Sequence, residues 1–105
     1  MDEKIKKLLE YSNPEISQKN AFKKYGKDAL LYISTRKNKK YSILNPSTGK
    51  MVHFGSIEPP YEDFTKHRNE QRRQHYLKRS NLIKGDWRDN PYSPNNLSRR
   101  ILWGG

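Results

Sequence analysis

Three histidines and a run of arginines are the residues of this sequence whose types could do chemistry. His67 and His75 are eight residues apart. On a helix they would stand about 12 Å apart along the axis, too far to share one metal ion. His53 lies near the end of an expected strand, before a helix bearing Asp63 at its start, His67 and Asn69. In that order a histidine base and metal-contacting side chains would serve a small strand-strand-helix nuclease. Against this, no His, Asp or Glu cluster has metal-ligand spacing, and there is no Gly-rich phosphate loop, nucleophile elbow or Walker lysine. The expectation is therefore a protein that is not an enzyme and takes no cofactor, metal or small-molecule substrate. On that view His53 is a half-buried strand residue, and His67 and His75 lie on a helix surface.

The cations are more suggestive. Seven of the eight arginines lie at or after Arg68, and arginine offers a planar fork suited to bidentate contact with phosphate. Lys37, Lys39 and Lys40 in one turn, with Arg68, Arg72, Arg73, Lys78 and Arg79 in one helical stretch, form the set expected to grip phosphates of DNA or RNA. Interleaved tyrosines and tryptophans could stack on unpaired bases. Two other readings use the same residues: a helix merely kept soluble by its charge, and one that meets an acidic protein surface.

These side chains need elements to position them. Ile5, Leu8 and Leu9 recur at helical spacing within residues 1–11, and Ser12 or Asn13 can cap a second helix with Pro14 in its first turn, which Gly26 closes. Its apolar face would carry Ile16, Phe22 and Tyr25. Residues 29–35, 40–44 and 50–54 read as strands of an antiparallel meander joined by the turns Arg36 to Lys39 and Asn45 to Gly49. Tyr41 and Ile43 would share a face, with Val52 and Phe54 opposite Met51 and His53 across the third strand. Pro59-Pro60 ends the unit. From Asp63 as cap, Phe64 to Arg79 contains no Pro or Gly and predicts one long basic helix, with Phe64, Tyr76 and Leu77 its only apolar members. Ser93-Pro94 opens a last short helix, and Leu97, Ile101, Leu102 and Trp103 should dock it on the sheet.

The whole is thus expected to be a small α+β domain: an N-terminal helical segment over 1–26, then a sheet-containing unit over 27–105, together one domain. Composition agrees. The chain has 105 residues, 22 Lys+Arg against 11 Asp+Glu and a formal net charge of +11, which points to a negatively charged partner. Nine Leu, seven Ile, three Phe and one Val make up about 19% of it, at the edge where highly charged chains stay disordered. With no cysteine there is no disulfide or thiolate site. No run reaches the ~18 apolar residues of a membrane span, so a soluble, intracellular protein without a membrane role is expected. The charge is +6 over residues 1–40, zero over 41–60 and +5 over 61–105; it flanks a neutral sheet.

The succession Ser34-Thr35-Arg36-Lys37-Asn38-Lys39-Lys40-Tyr41, Gly49 to Gly55, Tyr61 to His67, Arg72-Arg73 and Tyr76, closing with Tyr92 to Ser98 and Ile101-Leu102-Trp103, resembles a family of small basic proteins encoded by large (nucleocytoplasmic) DNA viruses. Residues 1–33 lie outside the resemblance. It implies a viral protein of the host-cell interior or viral factory. Two jobs follow: handling nucleic acid, or a minor structural position in the virion against acidic surfaces of larger capsid or core proteins. Most of the shared residues also have a structural explanation, with Phe54, Phe64, Tyr76, Trp87, Leu102 and Trp103 as core.

Overall fold

A computed structural model describes residues 3–57 and 62–104; the start of the first helix at residue 2, the stop at Pro59-Pro60, and Tyr61 of the family resemblance lie outside the described residues. The fold is α+β. Helices α1 (Glu3–Tyr11) and α2 (Pro14–Tyr25) precede strands β1 (Leu31–Ile33), β2 (Lys39–Asn45) and β3 (Lys50–Ser56). Then come α3 (Phe64–His67), α4 (Glu70–Ser80), a 3-10 turn at Trp87–Asp89, α5 (Pro94–Leu97) and a wide π-type turn over Ser98–Leu102.

Local side-chain chemistry fixes most of the helix starts. The Asn13 side chain accepts from the N–H groups of Glu15 and Ile16 at 3.1 and 3.2 Å, with Pro14 in the first turn. Asp63 accepts from Thr65 N–H at 3.0 Å, and Ser93 Oγ from Asn96 N–H at 3.3 Å. Each satisfies a donor that the helix cannot. Gly26, at φ 103, closes α2 by donating its N–H to Phe22 O.

The strands form an antiparallel sheet in the order β1-β2-β3. Tyr41 pairs with Phe54 and Ile43 with Val52, and this face carries the core. On the opposite face Ser42 pairs with Tyr32 and His53, and Leu44 with Met51. There Tyr32, Leu44 and Met51 are 53, 48 and 41% exposed. Strand β1 is shorter than the sequence predicts, because Ala29 N–H and Leu30 N–H donate to Gly26 and Asp28 in a turn, and Ser34 Oγ accepts from Arg36 N–H to begin the next one. The Gln18 amide occupies the outer edge of the segment, donating to Ala29 O and accepting from Leu31 N–H, both at 2.8 Å. That contact blocks part of a sheet edge which would otherwise be open to another strand.

Two further expectations are corrected. The buried face of α2 carries Ser17 and Ala21, while Phe22 is exposed. These small side chains, four residues apart, share one helix face, and beside them Asn20 Nδ2 donates to Ile101 O at 2.7 Å. The long basic helix is broken at Arg68, whose backbone is left-handed at φ 56. Asn69 then caps α4 by accepting from Arg72 N–H at 3.0 Å, while its own N–H donates to His67 Nδ1 at 2.9 Å. Asn and His side chains compete with the helical ladder for backbone donors. The break also lets both pieces reach Trp103, α3 through His67 at 5.2 Å and α4 through Tyr76, stacked at 4.1 Å.

Leu8, Ala21, Tyr41, Ile43, Phe54, Ile57, Leu97, Ile101, Leu102 and Trp103 meet in one core, so the N-terminal helices and the C-terminal segment close on the same sheet. Phe64 and Tyr76 pack at its margin, whereas Trp87 stays outside it, half-buried. Gly55 is the close approach: at φ 81, a Cβ there would stand 2.8 Å from Leu102 Cδ1. No helix among the described residues is long and apolar enough to cross a membrane.

Candidate functional site

Beside Gly55 the structure places a charge pair that the sequence does not announce. Lys40 was expected on the surface with Lys37 and Lys39. Instead its side chain is 2% exposed, with Nζ 3.0 Å from Asp63 Oδ2 and 3.3 Å from Tyr11 O. Lys40 therefore leaves the phosphate-gripping set. A buried ammonium is stable only when its donors are satisfied, and here a carboxylate and a carbonyl do that. Burial pulls the Lys40 ammonium below the ordinary lysine range, with Asp63 opposing.

The Asp63 carboxylate also accepts from Thr65 N–H and from Thr65 Oγ1. Thr65 Oγ1 in turn accepts from Asn13 N–H at 3.0 Å and meets Ser12 Oγ at 3.3 Å. Ser12 Oγ lies 2.7 Å from the Tyr41 hydroxyl. One buried polar chain thus ties the α1–α2 junction to β2 and to the start of α3. His53 is elsewhere, with Nδ1 2.7 Å from Ser34 Oγ. Asp63 is engaged by Lys40 and Thr65, and no group of three His, Asp or Glu that could hold a metal forms among the described residues.

Between α4 and the end of β3 lies a groove of about 600 Å³. One wall is the α4 face bearing Arg72, His75, Tyr76 and Arg79. Their spacing of three, four and seven residues puts them on one side of the helix. Gly55, Ser56, Glu62 and the Lys40–Asp63 pair also line the groove, with Leu102 and Trp103. Arg72 Nη1 is 3.5 Å from Glu62 Oε1, and both side chains are well exposed. A pair of that kind contributes at most about 1 kcal/mol and can exchange for another anion. Arg79 makes no ion pair with a described acid.

The remaining members of the expected set scatter. Arg73, next to Arg72, has its guanidinium committed: Nε donates to Trp103 O, Nη2 to Gly104 O and Nη1 to Glu70 Oε1, each at 2.8 Å. It clamps the C-terminal segment and is corrected to a structural role. Arg68 is exposed at the helix break, its guanidinium 4.8 Å over the Phe64 ring. Lys78 is exposed on α4 but does not line the groove. Lys37 is exposed in the β1–β2 turn, and half-buried Lys39 pairs in register with Ser56, so these lysines sit at the sheet end nearest the groove. The structure therefore brings Arg72 and Arg79 together, sets Lys39 nearby and withdraws Lys40 and Arg73.

His75, Tyr76 and Ser56 are groove residues that sequence reasoning missed as a site. The helical spacing of Arg72, His75, Tyr76 and Arg79 was legible; that this face meets a concavity was not. His67, expected on the surface, is half-buried, and its Nε2 is buried without a hydrogen-bond partner among the described residues. Burial and then the Arg72 guanidinium hold its imidazole below the ordinary value. A second, shallower hollow is lined by Trp87, Arg88 and Arg99, whose guanidinium groups lie 4.4 and 5.4 Å from the Trp87 ring. Arg99 donates to Leu77 O and Ser80 Oγ, and Arg88 to Asn81 O. Both thus satisfy the carbonyl end of α4, where cations are favoured.

Residues 29–80 match a family of unknown function (DUF5754). The matched stretch spans the sheet, α3 and α4, which include the buried Lys40–Asp63 pair and the groove face of α4. No curated protein and no solved structure matches the chain.

Proposed function

We propose that the protein binds nucleic acid through its phosphates, without sequence specificity and without catalysing a reaction on it. The observation that carries this is the groove wall of α4: Arg72 and Arg79, with His75 between them, on one helix face, and Arg68, Lys78, Lys37 and Lys39 on adjoining surfaces. Guanidinium and ammonium groups that displace condensed counterions supply affinity without reading bases. The test is the salt dependence of binding to DNA and RNA. The logarithm of the binding constant should fall linearly with that of salt, and Arg72→Ala and Arg79→Ala should each reduce the slope by about one. Binding that ignores salt would sink the proposal.

A second reading is favoured by the open sheet face. Tyr32 and the cross-strand pair Leu44–Met51 are exposed on it, and apolar side chains gathered on one open face suit a protein partner. In the viral setting implied by the family resemblance, that partner would be a larger capsid or core protein with acidic surfaces. Mass spectrometry of purified particles decides it, since absence of the chain from the virion eliminates this role.

A further inference from the structure

Resting on the phosphate-binding proposal, we infer that the groove beside α4 seats a single strand, and that single-stranded nucleic acid is the preferred ligand over duplex.

A helix that reads duplex must project into a major groove about 12 Å wide and 8.5 Å deep. Arg72, His75 and Arg79 form one wall of a concavity whose other lining includes Glu62, Ser56 and Trp103. Arg72 and Arg79 stand about 10.5 Å apart along the helix axis, so together they track an extended backbone rather than a single anion. The groove volume of about 600 Å³ falls within the range of clefts that enclose small ligands.

The chemistry of the two sides differs in a way that suits an unpaired strand. Phosphates would lie against the guanidinium groups of α4. Base edges would meet the Glu62 carboxylate and the Ser56 hydroxyl, and a base face would meet the half-buried Tyr76 ring, which is backed by the buried Trp103 at 4.1 Å with the rings 10° from parallel. Only an unpaired strand has its hydrogen-bonding edges free for such groups, and aromatic groups in a positive groove are the usual single-strand platform. Glu62 works against duplex, because the carboxylate facing α4 would meet the second phosphate backbone. With a single strand, Glu62 has only to release Arg72, to which it is bound in an exposed pair.

The experiment measures fluorescence anisotropy of a labelled oligothymidylate and of a duplex of equal length, using the full chain at low and moderate salt. Three proteins are compared: wild type, Arg79→Glu and Lys78→Glu. The last two make the same charge change at neighbouring exposed positions of α4, only one of which lines the groove, and circular dichroism confirms that both fold. Single strand should bind roughly tenfold or more tightly than duplex. Arg79→Glu should weaken single-strand binding by about tenfold more than Lys78→Glu does. Duplex bound as tightly as single strand, or equal losses for the two variants, overturns the groove assignment and leaves the phosphate proposal standing. No salt-sensitive binding of either polymer overturns both.

Discussion

The Lys40 ammonium and the Asp63 carboxylate meet at 3.0 Å with their side chains 2 and 1% exposed, 23 residues apart in the chain. The pair joins β2 to the cap of α3, and through Thr65 and Ser12 it reaches the α1–α2 junction. Breaking a buried pair costs more than the pair contributes, because the charge left behind has lost its hydration. Lys40→Met should therefore lower stability by about 3–5 kcal/mol. The double variant Lys40→Met/Asp63→Asn should lose clearly less than the two single losses combined. Urea denaturation of the four proteins checks this, and simple additivity would show that the two groups do not act as a unit.

Tyr41 sets the alkaline limit. Burial pushes its hydroxyl up from 10.0 to about 12. Below pH 10 the phenol is protonated in both folded and unfolded chains, so its contribution is fully present. Between pH 10 and about 12 the unfolded chain sheds the proton while the folded one keeps it, and stability falls as pH rises. The loss is on the order of 2–3 kcal/mol. Tyr41→Phe should flatten that part of the pH–stability curve. A smaller slope should persist from Tyr25 and Tyr76, both also raised chiefly by burial. Lys40 acts in the opposite sense, since its lowered pKa lets the folded chain release a proton that the unfolded chain still holds, so stability rises with pH until the unfolded ammonium has titrated. Chemical denaturation across pH 9–12, followed in wild type and Tyr41→Phe, separates the contributions.

Arg73 and Arg79 should divide stability from binding. Arg73→Ala removes three hydrogen bonds, two of them to the carbonyls that hold Trp103 and Gly104. It should cost about 1–3 kcal/mol and leave the salt slope of nucleic-acid binding unchanged. Arg79→Ala should change stability by less than about 0.5 kcal/mol, because its exposed side chain forms no ion pair with a described acid, and should reduce the slope. Thermal melts and salt titrations on the same two variants give both readouts. The reverse pattern would exchange the roles assigned to these arginines.

Much of the fold is legible because its causes are local. Asn13, Asp63 and Ser93 cap helices through bonds to N–H groups two or three residues ahead, and the meander follows from alternating strands and turn residues. The candidate site is legible only as a type and a spacing. Arg72 and Arg73 are adjacent identical residues, but a helix turns about 100° per residue, so one lines the groove and the other clamps the chain end. Which does which depends on where Trp103 docks. The break at Arg68 was hidden in a stretch with no Pro or Gly, since it rests on two side chains taking backbone donors.

By itself the sequence determined the α+β class, the order of the main elements, the caps at Asp63 and Ser93 and a cationic excess concentrated outside the sheet. These depend on residue type and near-neighbour spacing. Only the tertiary structure decided that Lys40 is an internal ion-pair partner, that Ser17 and Ala21 rather than Phe22 face inward, and that the Arg72, His75 and Arg79 face borders a groove. Each of those depends on a partner far away in the chain, and burial free energy is set by what the fold brings to a residue rather than by its neighbours in sequence.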